Sequence, residues 1–326
     1  MPSPSSALTT LRPDLAGSLE EFNLAMDRQG FIGHRILPVL EVAEQAGVFG
    51  KIPIEQLLQT PETKRAPGGG YSRGKYKFTS DSWACEEHGH EEPLDDRQVR
   101  MYRNYLDAEL VATQRALDAV LRNAEIRIAT AIFNATTWTG ATLTTAITNE
   151  WDDISNATPI TDVDSACKKV WDLTGLWPNA LILNKRVFKN LRRCDQITDT
   201  LAASGAGEPI KQASITEQMI AQCLDLDYVL VGGSGKNTAK KGQDVSLSPI
   251  WSDEYVMVAR VATSNDIQEP CLGRTFHWGE DGSDVGGTIE EYRDETVRGN
   301  VIRCRHDVDE KVLYTECAHL LSNATT

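Results

Sequence analysis

The sequence predicts an α+β protein assembled from unlike parts laid end to end. Three stretches carry that expectation: a helical run from Pro93 to Asn134, short strand and helix signals from 162 to 286, and strict alternation from Val301 to Val308. In the first, Val99, Tyr102, Leu106, Leu110, Leu117, Leu121, Ile128 and Ile132 return mostly at steps of three, four or seven, which makes one apolar stripe on a helix. Pro93 is suited to open it, having no N–H to leave unpaired. Asp95 and Asp96 follow where carboxylates meet the positive end of the helix dipole. No Gly or Pro interrupts the run, so roughly 40 residues would make a rod of about 60 Å. A rod that long is a strut.

Residues 1–50 read as an arm and a lead-in. The Ser-, Thr- and Pro-rich stretch 1–17 is extended and ordered only where something holds it. Residues 18–30 are weakly helical with Ser18 as N-cap, and Ile36 to Val48 suits a short strand or helix. Residues 51–92 read as a projecting hairpin. Lys51 to Glu55 is extended with Pro53 on an edge, Gly68-Gly69-Gly70 is a flexible tip, and Tyr71 to Phe78 returns. With so few apolar residues it is poorly stable alone, so it is expected to lie on another molecule. Its charges are segregated: Lys64, Arg65, Arg73, Lys75 and Lys77 precede Asp81, Glu86, Glu87, Glu91, Glu92, Asp95 and Asp96. Such separation suits a basic tip meeting an acidic neighbouring copy. The alternative is a solvated loop of mixed charge.

Beyond the helix, Thr136 to Thr148 is Thr-rich and closes a subdomain spanning 93–161. Residues 162–286 form an α/β lobe. Asp162 caps a helix ended by Gly175, Ala180 to Leu183 is a strand, Lys185 to Arg193 a helix, Thr216 to Leu224 a capped helix, and Tyr228 to Gly232 a strand. Tyr255 to Val261 and Arg274 to Trp278 are further strands. Residues 287–312 form a long β element, and 313–326 closes the chain. In that element Ile302, Cys304, His306 and Val308 share one face; Val301, Arg303, Arg305 and Asp307 share the other. Glu291, Arg293, Glu295, Arg303 and Arg305 suit a cross-strand or intersubunit ladder better than acid–base catalysis.

At 326 residues two subdomains are expected. A net charge of −14 argues against a general nucleic-acid binder, which needs a basic face, but not against a container whose wall profits from not sticking to its contents. Seven Cys without a CxxC pair suggest reduced thiols. No secretory signal and no apolar run of membrane-spanning length is present. Val231 to Lys236 follows a strand but fails the phosphate-loop pattern, with Leu230 at the first Gly position and Asn237 where Ser or Thr is needed. Gly205-Ala206-Gly207 lacks the third Gly of a dinucleotide fingerprint and reads as a mobile loop. Cys85, His88 and His90 cluster in sequence, a weak metal signal without a second ligand pair. No GxSxG or HExxH occurs. No catalytic residue and no cofactor is expected.

The order of arm, charged hairpin, strut helix, α/β lobe and long terminal β element resembles the major capsid protein of tailed bacteriophages, the HK97-like shell fold. Three stretches strengthen the likeness: Pro178 to Asn184 with Leu191; Tyr228 to Gly232 with Pro249-Ile250-Trp251; and Gly273 to Trp278 followed by Tyr292 to Arg303. The resemblance extends from about residue 18 onward. It implies that 51–92 is the extended loop lying over a neighbouring subunit, that 93–134 is the spine of a peripheral domain shared with 287–312, and that 162–286 with the last strand is an axial domain. The function so implied is self-assembly, as pentamers and hexamers, into an icosahedral shell enclosing double-stranded DNA. A portal, a separate scaffolding protein and a decoration protein are the partners implied. The virion is the implied location, after assembly in the host cytoplasm. Lys51, Lys64, Lys75 and Lys77 lie where some members crosslink, but no motif marks any of them as reactive. An encapsulin-like nanocompartment shell, and an α/β enzyme with a ligand site in the 162–286 lobe, are the alternatives.

Overall fold

The computed structural model describes residues 10–11, 30–74, 77, 79–102, 107–204, 214–240 and 242–325. In chain order these form β1 (Thr10–Leu11), α1 (Gly33–Ile36), β2 (Val39–Val42), β3 (Ala46–Lys51), α2 (Ile54–Leu57), β4 (Thr79–Ala84), β5 (Glu86–Asp95), α3 (Asp96–Tyr102) and α4 (Ala108–Ile132). Then come β6 (Thr144–Ala146), α5 (Pro159–Thr174), β7 (Ala180–Asn184), α6 (Lys185–Leu191), α7 (Asp195–Ser204), α8 (Glu217–Cys223) and β8 (Tyr228–Gly232). The chain continues through β9 (Gly235–Asn237), β10 (Leu247–Pro249), β11 (Val256–Ala259), β12 (Gly273–Trp278), β13 (Thr288–Asp294), β14 (Gly299–Val312) and β15 (Ala318–Ser322).

Strands β7 and β11 are buried at every position, so their sheet must be covered on both faces. Each face has its own core. Leu181, Leu183, Val256, Val258 and Leu321 meet α5 to α8, while Ala180, Ile182, Met257, Ala259 and Leu320 meet the end of α4 and the segment at Ile32 to Leu37. This sheet has five strands in the order β6–β15–β11–β7–β8. The second sheet has six, in the order β1–β13–β14–β12–β2 with β5 also paired to β14. Ala112, Ala116, Leu117, Val120 and Leu121 of α4 pack on it through Ile289, Ile302 and Cys304. The small residues let the helix lie close to the strands. Helix α4 is therefore a strut between two sheets, its first half on one and its last turns on the other.

The strut is shorter than its apolar stripe suggests. Pro93 and Leu94 lie in β5, opposite Val301 and Asn300 of β14, where an edge position tolerates the missing N–H. Residues 103–106 are outside the described set. Asp107 has an extended backbone, and its Oδ1 accepts from the N–H groups of Glu109 and Leu110 at 3.1 and 3.3 Å. An Asp N-cap with an acid in the first turn is a helix start, and it was present in the sequence. The 25 residues that follow make a rod of about 38 Å.

Other boundaries move for equally local reasons. The hairpin pairs 46–51 with 79–84, Ala46 opposite Ala84 and Lys51 opposite Thr79, rather than 51–55 with 71–78. Pro53, expected on an edge strand, instead precedes the single turn α2. The hairpin base is not coreless either: Phe49 and Trp83 pack with Phe276, Trp83 stacking on it at 5.6 Å. Helix α5 starts at Pro159, not at Asp162, whose carboxylate instead accepts from the Trp151 indole at 3.0 Å. Gly175 ends that helix with φ +68°, a conformation Gly adopts without strain. The expected helix at 18–30 and the loop at Gly205 to Gly207 fall on residues outside the described set. The lobes are also not continuous in sequence. β12, within 162–286, pairs with β14 and β2, whereas β6, within 93–161, pairs with β15.

One carboxylate ties these parts together. Glu125 of α4 is buried, and its two oxygens accept from the N–H groups of Ile32 at 2.9 Å and Gly33 at 2.8 Å and from the Trp251 indole at 2.6 Å. Burial pushes its carboxyl up while the three donors pull the other way. Beside it Gly233 N–H donates to Gly30 O at 3.1 Å. Gly30 has φ +74°, and a Cβ there would sit 2.7 Å from Gly233 N. The glycine-rich turn after β8 thus seats the incoming chain, and β9 and β10 pair as a short ribbon beyond it. A Glu125→Gln variant would turn an NH2 toward one of three donors. Loss of a buried hydrogen bond costs about 1–3 kcal/mol, so its urea midpoint should fall measurably; an unchanged midpoint would remove Glu125 from this role.

Candidate assembly surfaces

In the hairpin, residues 58–68 are exposed without a break, and among the described residues from 58 to 84 the core clusters include only Trp83, packed on the third. Its tip is nevertheless shaped. Gly69 N–H closes a turn onto Ala66 O at 3.0 Å. Arg65 Nε donates to Gly69 O at 2.6 Å and its guanidinium lies 4.7 Å from the Tyr71 ring centroid. Lys64, Arg73 and Lys77 are exposed, while the Lys77 backbone N–H donates to Gln56 Oε1 at 2.7 Å. Lys75 lies outside the described residues. The result is a basic, aromatic tip in which Arg65 is tied to Gly69 and Tyr71.

The acidic return arm divides between inside and outside, because β5 is a strand and its side chains alternate. Glu91 faces Arg303 and pairs with it at 2.7 Å. Glu92, on the other face, pairs with Arg115 of α4 at 3.2 Å. Those two acids are spent within the subunit. Glu86 and Glu87 stay exposed at the start of β5.

The ladder on the long β element exists, but the register splits its expected members. Glu290 stands opposite Arg303 and Glu291 opposite Ile302. Glu291 and Arg293 therefore share the face of Ile302, not that of Arg303 and Arg305. There Arg293 pairs with Asp96 at 2.8 Å and reaches Glu295 at 3.4 Å, and Glu291 accepts from Asn300 Nδ2 at 2.5 Å. On the opposite face Glu290 is the hub, 3.6 Å from Arg303 and 3.0 Å from Arg305. Arg305 also pairs with Asp281 and, at 3.3 Å, with Asp307. Burial, Asp281 and Glu87 push the Asp307 carboxyl up to about 6. Glu290 and Asp281 are the members that alternation within one strand does not reveal, whereas Asp307 shares its face of β14 with Arg303 and Arg305. These pairs run across neighbouring strands.

Cys85, His88 and His90 do not converge. Cys85 is buried, its thiol reaching Phe276 O at 3.6 Å, His88 faces His306, and His90 lies 3.5 Å from Glu92. Among the described residues no group of three or more His, Cys, Asp or Glu side chains is placed to hold a metal, and no helix is long and apolar enough to cross a membrane.

No protein-family profile matches the chain. Among curated proteins it is similar to the major capsid protein of Pseudomonas phage JBD67, 22% identical over 294 residues, covering 90% of this chain and 91% of that one. Among solved structures it is similar to a phage-related protein from Bordetella bronchiseptica RB50, with TM-score 0.69, 19% identity and 97% of each chain covered. The capsid of cyanophage P-SCSP1u aligns with TM-score 0.56 at 12% identity, over 89% of this chain and 87% of that one. With its strut helix and two sheets, the chain has the HK97-like shell fold of phage capsid proteins.

Proposed function

We propose that the chain is a phage major capsid protein that self-assembles into pentamers and hexamers of an icosahedral shell around double-stranded DNA. The observation that carries this is the pairing of a near full-length likeness to a major capsid protein with a shaped basic tip on a loop that has no core of its own. A loop of that kind gains its stability from a neighbouring copy. Exposed Glu86 and Glu87 are the acids left to receive it, and charge complementarity of this sort gives register and orientation more than raw affinity. The role is structural, without catalysis or cofactor. A portal, a separate scaffolding protein and a decoration protein are the further partners, with assembly in the bacterial cytoplasm and the virion as destination.

Light scattering followed by negative-stain electron microscopy tests the assembly. Closed shells, or rings of five and six subunits, are expected; a monomer or dimer that never assembles, even beside co-expressed phage proteins, would return attention to an enzyme-like site in the 162–286 lobe. DNA inside the shells separates a virion from an encapsulin-like compartment, which would hold protein. Reversing Arg73, Lys75 and Lys77 to Glu should block assembly and leave the circular dichroism and melting of the subunit unchanged. Normal shells from that triple variant would show the charge segregation to have no part in assembly.

A further inference from the structure

Four of the six histidines gather where α4 and α1 meet the six-stranded sheet. β14 presents His306 and Glu310 on one face, two and four residues along from Cys304 and His306 respectively being the same side of the strand. His88 of β5 stands opposite His306, their rings edge to face at 6.0 Å. His277 of β12 stands opposite Val308, between His306 and Glu310, with Nε2 3.5 Å from Ser283 Oγ. His34 comes from α1, and its Nδ1 is buried without a hydrogen-bond partner among the described residues. From α4, Arg127 grips Glu310 with two bonds, at 2.6 and 3.0 Å, and its Nη2 lies 3.5 Å from His306 Nε2. Glu86 stands opposite Val308 and Glu41 opposite His277, two further acids at these register positions.

This arrangement fits neutral imidazoles. His306 Nδ1 is 3.2 Å from Val285 O, so the proton sits on Nδ1 and the bare Nε2 accepts from Arg127. A second proton would place an N–H and a positive charge against the guanidinium. Among the described residues the carboxylate in contact with that guanidinium is Glu310, already engaged twice. We propose that this joint is a proton-operated latch, holding α4 and α1 onto the six-stranded sheet while His34, His88 and His306 are neutral and releasing them when these three are charged.

Burial holds His306 down to about 4 and lowers His34 and His88 as well, with Arg127 adding to each and Glu310 opposing. An unfolded His binds its proton near 6.5. Between roughly 6.5 and 4 the open form therefore binds more protons, and the stability present above that range is lost as pH falls through it. His319, also held to about 4, lies in the other sheet, with Nδ1 near Thr142 O and Nε2 near Thr145 Oγ1. It supplies an acid effect away from the latch, so the test must resolve position. The inference does not depend on the shell assignment, because it concerns a joint inside one subunit.

Amide hydrogen exchange of the full-length subunit, read by mass spectrometry at pH 7.5 and 5.0 and corrected for intrinsic rates, tests it. Protection at 30–42 and 120–132 should fall about tenfold or more, with a smaller change in β7 and β11. Equal loss in all these segments, or none, would overturn the latch. As a second measure, His306→Asn and His88→Asn keep polar side chains without a titrating ring. The urea-midpoint difference between the two pH values should shrink to about half in the double variant. A variant weakened equally at both pH values, with the difference unchanged, would make the histidines merely structural. If the double variant does not fold, the exchange pattern of the unsubstituted protein decides alone.

Discussion

The carboxylate of Glu125 is the constraint on which the rest of the molecule depends. It sits on α4, a helix that touches both sheets, and accepts from two backbone N–H groups of the entering chain and from the Trp251 indole. A buried acid of this kind is costly unless its lone pairs are filled, and here three donors from two other segments fill them. The entering chain, the strut and the turn before β11 are thereby locked at one point. Directly beside it Gly30 and Gly233 touch backbone to backbone, which only small residues permit.

From that point the molecule extends in two mechanical directions. Toward one end, α4 leaves the five-stranded sheet and lays its alanines and leucines along β14 and β5. The long strand β14 then carries an ion-pair network across its outer face, with Glu290 between Arg303 and Arg305. Partly buried pairs with several partners keep their geometry better than isolated surface pairs, which contribute about 0–1 kcal/mol each. Toward the other side the hairpin leaves its base at Phe49, Trp83 and Phe276, and residues 58–68 beyond it are exposed.

The histidine joint lies in the same stiff half. Its neutral rings fill space between strut and sheet that charged side chains would pry open. The same helix that distributes load between the sheets is therefore held in part by groups sensitive to protons.

Much of this was legible in the amino-acid sequence. The strands Ala180 to Asn184 and Tyr228 to Gly232, the Thr216 cap, the Gly175 stop and the face of Ile302, Cys304 and His306 all follow from local rules: a continuous apolar run, a side chain that caps, a residue free to turn left-handed, a two-residue period. So did the order of parts that marks the fold. What the sequence left open depended on partners distant along the chain. Pro93 reads as a helix start until β14 is beside it, and Glu291 looks like a ladder member until the register puts Glu290 opposite Arg303. The buried use of Glu125 and the gathering of His34, His88, His277 and His306 have no local signature. Periodicity determines which side of its own element a residue faces; only the tertiary pairing decides what stands across from it, because that is set by register and packing between segments far apart in sequence.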